Sequence, residues 1–439
     1  MNIKMNGNET AAPYTEEKEV EFKRFSLKET ISSFGPGIVF ALTALGAGDL
    51  IDSSVSGSHY GYALMWALVL ATLVRFLIVN TIARFDMCNN RGLTILAGYG
   101  SMSKFFPYFF MIYATCLGHM FCSIMSKGAG EAIFHIVNVG HPLVWTLLVI
   151  ISVFMVRGKN IYNKMETVMK CVLGFMTLCF IGLAIATKPN PVEIFKGVFT
   201  FEIPDGQGIF GALTLTISLI GAVAGSITNF LYPHSMRSKG WTDPSFKKVQ
   251  RNDLLFSSFI LIVLNLAIWI VGAQILRPAG IQVTSLNDIA QALELAFGRV
   301  GGIVFYLGVL SIFYGGILGT ANGFTSLIVE NVHLIKPERG EKYEHVTEKD
   351  PLYKTMVTIL LFSALFWSMP GMPDFVVLTL IANMFNTLAL PLIAVGLLFL
   401  SNKKSLMGKW RNNWFENAVL AGATVLAISG AIKLFSNML

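Results

Sequence analysis

The chain has 439 residues, of which 54% are hydrophobic and 13% charged, with a mean hydropathy of +0.62. Soluble domains average about 25% charged residues, so this composition excludes an ordinary globular enzyme and describes a polytopic membrane protein. The net charge of +7 is set by where the apolar segments end, and it gives no reason to expect a nucleic-acid partner.

Taken in order, residues 1–33 are polar and mixed in charge, without the pattern of a cleavable signal peptide. They read as a cytoplasmic leader. Runs of about 20 apolar residues follow, the length needed to cross about 30 Å of hydrocarbon. They are continuously apolar rather than alternating, which excludes a β-barrel. Hydropathy marks eleven spans, within 34–60, 62–84, 106–130, 141–156, 162–187, 209–235, 254–276, 300–329, 354–370, 374–400 and 417–437. With the N-terminus inside, 26 of the 33 lysines and arginines fall in the leader and the inner connections. That bias predicts a cytoplasmic N-terminus and an outward C-terminus in the cell membrane. Arg75 lies within span two. Cys88, Cys116, Cys122, Cys171 and Cys179 show no CxxC spacing and read as packing residues.

Two spans are interrupted. Span one, within GPGIVFALTALGAGDLIDSSVSGSHYGY, carries Gly46-Ala47-Gly48-Asp49 at its centre. Span six carries Gly225-Ser226-Ile227-Thr228-Asn229, followed by Pro233. Glycine costs a helix about 1 kcal/mol and proline about 3, and an ionisable residue in hydrocarbon is costlier still. Glycines that only let helices pack closely would explain either break alone. Two breaks five spans apart predict an inverted-repeat secondary transporter whose site lies at the bilayer midplane.

The same stretches resemble the NRAMP (natural resistance-associated macrophage protein) family. Its first helix begins GPG, carries Asp-Pro-Gly-Asn at an unwound centre and ends GY, and residues 35–62 align with it without a gap. Ala114-Thr115-Cys116-Leu117-Gly118-His119, the small-residue run GVLSIFYGGILGTANGF and the polar stretch from Ala382 to Pro391 extend the resemblance over about 34–400. The resemblance implies a LeuT-like fold of two inverted five-helix repeats, about 34–187 and 209–400, with broken helices 1 and 6. Residues 401–439 then form a linker and an eleventh helix.

The sequence departs from the family where the ligands should be. Gly46, Ala47, Gly48 and Asp49 stand at the Asp-Pro-Gly-Asn positions, so the metal-binding aspartate is lost and Asp49 occupies the asparagine position. Thr228 and Asn229 replace the Met-Pro-His of helix six, with Pro233-His234 later. Loss of the thioether removes the reason to expect soft-metal selectivity. Cys116 and His119 stand where the family has acidic residues in its proton path.

These exchanges predict a site for a small inorganic anion such as bicarbonate, held by the Gly46–Asp49 and Ser226, Thr228, Asn229 segments and by Asn383. Orphan N–H groups of a broken helix favour an anion. Asp49, with Asp52 one turn on, would hold a coupled Na⁺, the only bound group expected besides the substrate. His119 and His234 are candidates for a proton path or an inner vestibule. The alternative keeps Asp49 as a metal ligand in a Mg²⁺ or Mn²⁺ transporter, with or without proton coupling. No HExxH, GxSxG or Walker-type loop is present, so no enzyme is expected. The expected partners are the ion and the lipid bilayer; an oligomeric state is not legible.

Overall fold

The computed structural model describes residues 48–156 and 174–438, and every regular element among them is helical. In chain order these are α1 (Leu50–Tyr60), α2 (Met65–Cys88), α3 (Ile95–Met102), α4 (Phe105–Val137) and α5 (Pro142–Val156). Then come α6 (Gly174–Ala186), α7 (Pro191–Phe199), α8 (Ala212–Val223), α9 (Tyr232–Ser238) and α10 (Lys247–Val271). The chain closes with α11 (Leu286–Phe297), α12 (Arg299–Ile335), α13 (Pro351–Ser363), α14 (Phe375–Asn402) and α15 (Trp414–Met438).

Among the described residues, seven helical stretches are long and apolar enough to cross a bilayer, α8 and α9 counting as one stretch. The expected spans one and five begin in residues outside those described, so the count of eleven rests partly on segments outside them. Helix α6 meets α7 at a bend of 111°. Asn190 makes that corner by accepting from the Val192 amide at 3.0 Å, with Pro191 opening the helix where no donor is lost. A capping box between Ser285 and Asp288 starts α11 in the same manner.

The interior is built on α4 and α12, which run side by side. Gly118 lets Phe324 of α12 lie against α4, and Phe121 stacks on Phe324 with centroids 6.0 Å apart. Large apolar side chains such as Leu148, Phe259, Val300 and Phe399 remain exposed around the outside, the face a bilayer would cover. Polar contacts gather at the two ends. At one end, Arg84 pairs with Glu416 at 2.7 Å, Arg237 with Asp86 at 2.5 Å, and the Asn90 amide donates to the Leu406 carbonyl at 2.8 Å. At the other, Trp66 donates to the Glu202 carbonyl at 2.9 Å and Lys127 to the Pro373 carbonyl at 2.6 Å. Connections assigned inside by the Lys/Arg bias meet one another, as do those assigned outside.

The interruption in span six is present. Helix α8 stops at Val223, Ser226 is extended (φ −63°, ψ 125°), and a tight turn over Ile227–Leu231 leads into α9. Pro233 plays no part in the break, because it sits in the first turn of α9. The matching interruption in span one falls on Gly46 and Ala47, outside the described residues; the chain is helical from Gly48 onward.

Candidate functional site

Helix α1 opens with two carboxylates one turn apart, and its neighbours treat them differently. Asp49 is buried, accepts from the Asn265 side-chain amide of α10 at 3.3 Å, and lines a cavity of about 370 Å³. Asp52 is fully buried, accepts from Ser218 of α8 at 2.8 Å and from the Asn383 amide of α14 at 2.9 Å, and is not part of the cavity wall. Asn265 also accepts from Ser53 at 3.4 Å, so one side chain of α10 ties together two residues of α1.

Close approach of α14 is what allows this arrangement. A side chain on Gly48 would run into the Asn383 carboxamide, and one on Gly221 of α8 into the Asn383 backbone carbonyl. The second glycine of GAGD therefore admits Asn383. With its Nδ2 committed to Asp52, Asn383 has its carbonyl oxygen to offer at the cavity wall.

The cavity is walled by Asp49, Arg75, Ser226, Thr228, Asn383 and His234, with Met125, Phe121 and Phe324 supplying apolar area. It reaches Glu348 and Tyr353 at the end that carries the 336–350 connection. Thr320 donates to the Met125 sulfur at 3.3 Å, so a thioether does stand at this cavity, on α4 rather than in the broken helix.

Of the other expected site residues, Asn229 and His119 lie away from the cavity wall. Asn229 is fully buried behind the wall; its amide donates to the Ala224 carbonyl at 3.1 Å, capping the end of α8, and its oxygen accepts from Arg75 Nε at 3.2 Å. Ser226 and Thr228 share a hydroxyl hydrogen bond of 2.6 Å at the wall. His119 packs against α13 and the turn that follows it. Trp367 donates to its Nε2 at 2.9 Å, which requires that nitrogen to be bare, and its Nδ1 then donates to Ser363 at 2.8 Å. It is a neutral helix-contact residue there, and Cys116 is exposed on the outer face. His234 lines the cavity with its Nε2 3.7 Å from Glu330. Gly46 and Ala47 lie outside the described residues.

Sequence reasoning passed over Arg75, Asn265, Ser218 and Met125. Arg75 was the one with a signal: a charged residue ten positions into an apolar span is a functional candidate by default. The partners Asn265 and Ser218 are ordinary polar residues whose role depends on helices far away in the chain. Among the described residues, no group of three or more His, Cys, Asp or Glu side chains is placed to hold a metal ion.

Comparison with known proteins bears on the fold and the lineage. The chain is 21% identical over 427 residues to the natural resistance-associated macrophage protein 2 homolog of Dictyostelium discoideum, covering 94% of this chain and 63% of that protein. It is 20% identical to the divalent metal cation transporter MntH of Acidiphilium cryptum, covering 91% and 87%. The structure superimposes on a mutant of the manganese transporter of Eremococcus coleocola with a TM-score of 0.74 at 17% identity, covering 97% of this chain and 89% of that one. The fold is thus the LeuT-like, inverted-repeat fold that the resemblance implied. Members of this lineage are integral membrane transporters and not enzymes. The family model described as natural resistance-associated macrophage protein-like matches residues 37–437, and the chain belongs to that family.

Proposed function

We propose that this protein carries a divalent metal cation across the membrane by alternating access, with Asp49 as its anionic ligand. The observation that carries the reading is Asp49 itself, a buried carboxylate on the wall of a cavity large enough for an ion with its water. Proteins similar to this chain are described as a divalent metal cation transporter and a manganese transporter. The same cavity is lined by neutral oxygen donors, Ser226, Thr228, Thr320, Asn322 and Asn383. One carboxylate and several neutral oxygens suit an ion that keeps part of its hydration shell. Mg²⁺ does so, because it dehydrates reluctantly and is bound through one or two carboxylates. The Met125 thioether keeps Mn²⁺ in contention.

In this reading the halves 34–187 and 209–400 exchange access to the site, and the N-terminus is cytoplasmic in the cell membrane. The cavity, which reaches Glu348 and Tyr353, then faces inward. The Na⁺-coupled bicarbonate reading has no support among the relatives. Arg75 is the single observation that favours it, since a buried guanidinium at the cavity is a ready anion partner.

Uptake into proteoliposomes separates the two. Mg²⁺ or Mn²⁺ entry that disappears in Asp49→Asn, with no labelled bicarbonate accumulation under a sodium gradient, is the expected result. Sodium-dependent bicarbonate uptake without divalent flux would reverse the assignment.

A further inference from the structure

Arg75 lies within α2, ten residues from Met65 and thirteen from Cys88. At 1.5 Å per residue that is about 15 Å and about 20 Å from the helix ends, farther than an arginine can snorkel to reach either membrane surface. It is 4% exposed. A guanidinium in that position persists only if the protein offsets its charge, and the surroundings of Arg75 do so. Asp49 lines the same cavity and lies close enough for the two charges to interact. The Asn229 oxygen accepts from Nε at 3.2 Å, while the same side chain donates to the Ala224 carbonyl at 3.1 Å. That carbonyl terminates α8, so Arg75 is held toward the negative end of a half-helix.

We infer that Arg75 is a resident counter-cation: it neutralises Asp49 when the carrier is empty and competes with the incoming divalent ion for that carboxylate. The inference rests on the cation reading of this cavity. Its consequence is a deliberately low affinity. A divalent ion arriving beside a fixed positive charge gains less from Asp49 than it would from an isolated carboxylate, and the penalty grows with the charge of the ion. Such a site suits an abundant cation that must also be released. It gives the empty carrier a neutral pair to carry through its return, in place of a bare buried carboxylate.

Titration calorimetry with MgCl₂ and MnCl₂ on the purified full chain tests this. Arg75→Gln is expected to bind both ions at least about tenfold more tightly than the native protein, by the size of one removed charge in a partly screened interior. Arg75→Lys keeps the charge and should stay within about threefold. Asp49→Asn should remove binding in every background. Should Arg75→Gln fail to fold, Asn229→Asp offers a second arm: a carboxylate at 229 draws the guanidinium from Asp49 and should also tighten binding. Unchanged or weaker binding in a folded Arg75→Gln or Asn229→Asp protein, with Asp49→Asn still inactive, overturns the competition and leaves the cation reading standing. Absence of divalent binding in both the native protein and Arg75→Gln overturns both.

Discussion

Asp49 and Asp52 are three residues apart on one helix, carry the same functional group and are both buried, yet they are built into different structures. Asp52 has one donor on each oxygen, Ser218 from α8 and Asn383 from α14, and is sealed from the cavity. Asp49 is steadied by Asn265 and looks into the cavity together with Arg75. A buried carboxylate that is fully engaged by neutral donors fastens helices together. One that borders a cavity with room for a hydrated ion is available for exchange. Proximity along the sequence says little about which role a carboxylate takes; the neighbours supplied by distant helices decide it.

The sharpest way to break this comparison is to neutralise each acid in turn. Asp49→Asn is expected to lose divalent binding by about 100-fold or more, and to lose stability as well because it strands the buried Arg75 charge. Asp52→Asn should leave binding nearly intact. An amide there turns a donor toward Ser218 or Asn383, which costs about 2 kcal/mol of stability while binding stays within a few-fold. Calorimetry and thermal unfolding of the two variants in one detergent check both halves, and a loss of binding equal for the two would erase the distinction.

A smaller change sharpens the same point. Gly48→Ala places a methyl group on the Asn383 carboxamide, so Asp52 loses its second donor and the cavity wall shifts. Overpacking of this kind costs about 1–3 kcal/mol, and binding should weaken several-fold because Asn383 lines the cavity together with Asp49. Melting curves and calorimetry on this variant check the two effects together.

A third carboxylate provides a control outside the membrane-spanning helices. Asp350 is buried at the start of α13, where Arg339 grips it with two hydrogen bonds of 2.7 Å and His333 and the Leu352 amide add two more. The Arg339 bonds, foremost, hold its carboxyl well below the usual carboxylate range. Because the folded state favours the charged form, this contribution is complete above the unfolded value of about 4 and drains away as pH falls below it. Asp350→Asn should therefore lower stability by about 1–2 kcal/mol at pH 7, discounted for the partly exposed arginine. The gap to the native protein should narrow under acid, with ion binding unaffected at either pH. Melting curves between pH 7 and pH 3 check this.

Much of the fold was legible because hydrocarbon imposes a period and a length on the chain that side chains cannot disguise. Long apolar runs, a one-sided distribution of lysine and arginine, and a Gly-Ser interruption in span six were all local features, and the structure carries the α8–α9 break at Ser226. The site was legible only in outline. Asp49 stood out because a charge inside an apolar run is expensive wherever its partners lie. Asn229 read as a ligand because it sits in a broken segment, but it caps α8 and holds Arg75 instead. His119 was a candidate for a proton path or vestibule as well as for a helix contact, and two hydrogen bonds to residues some 240 positions away make it a helix contact.

By itself, then, the sequence determined that this chain is a helical membrane protein, where its sixth span breaks and which acid deserved suspicion, since all three follow from the cost of polar groups in hydrocarbon. Only the tertiary structure decided which carboxylate faces a cavity, what Arg75 is paired with and why Gly48 has no side chain. Those depend on α8, α10 and α14 converging on α1 from more than 150 residues away, and hydrogen-bond partners that distant leave no periodic trace in the chain.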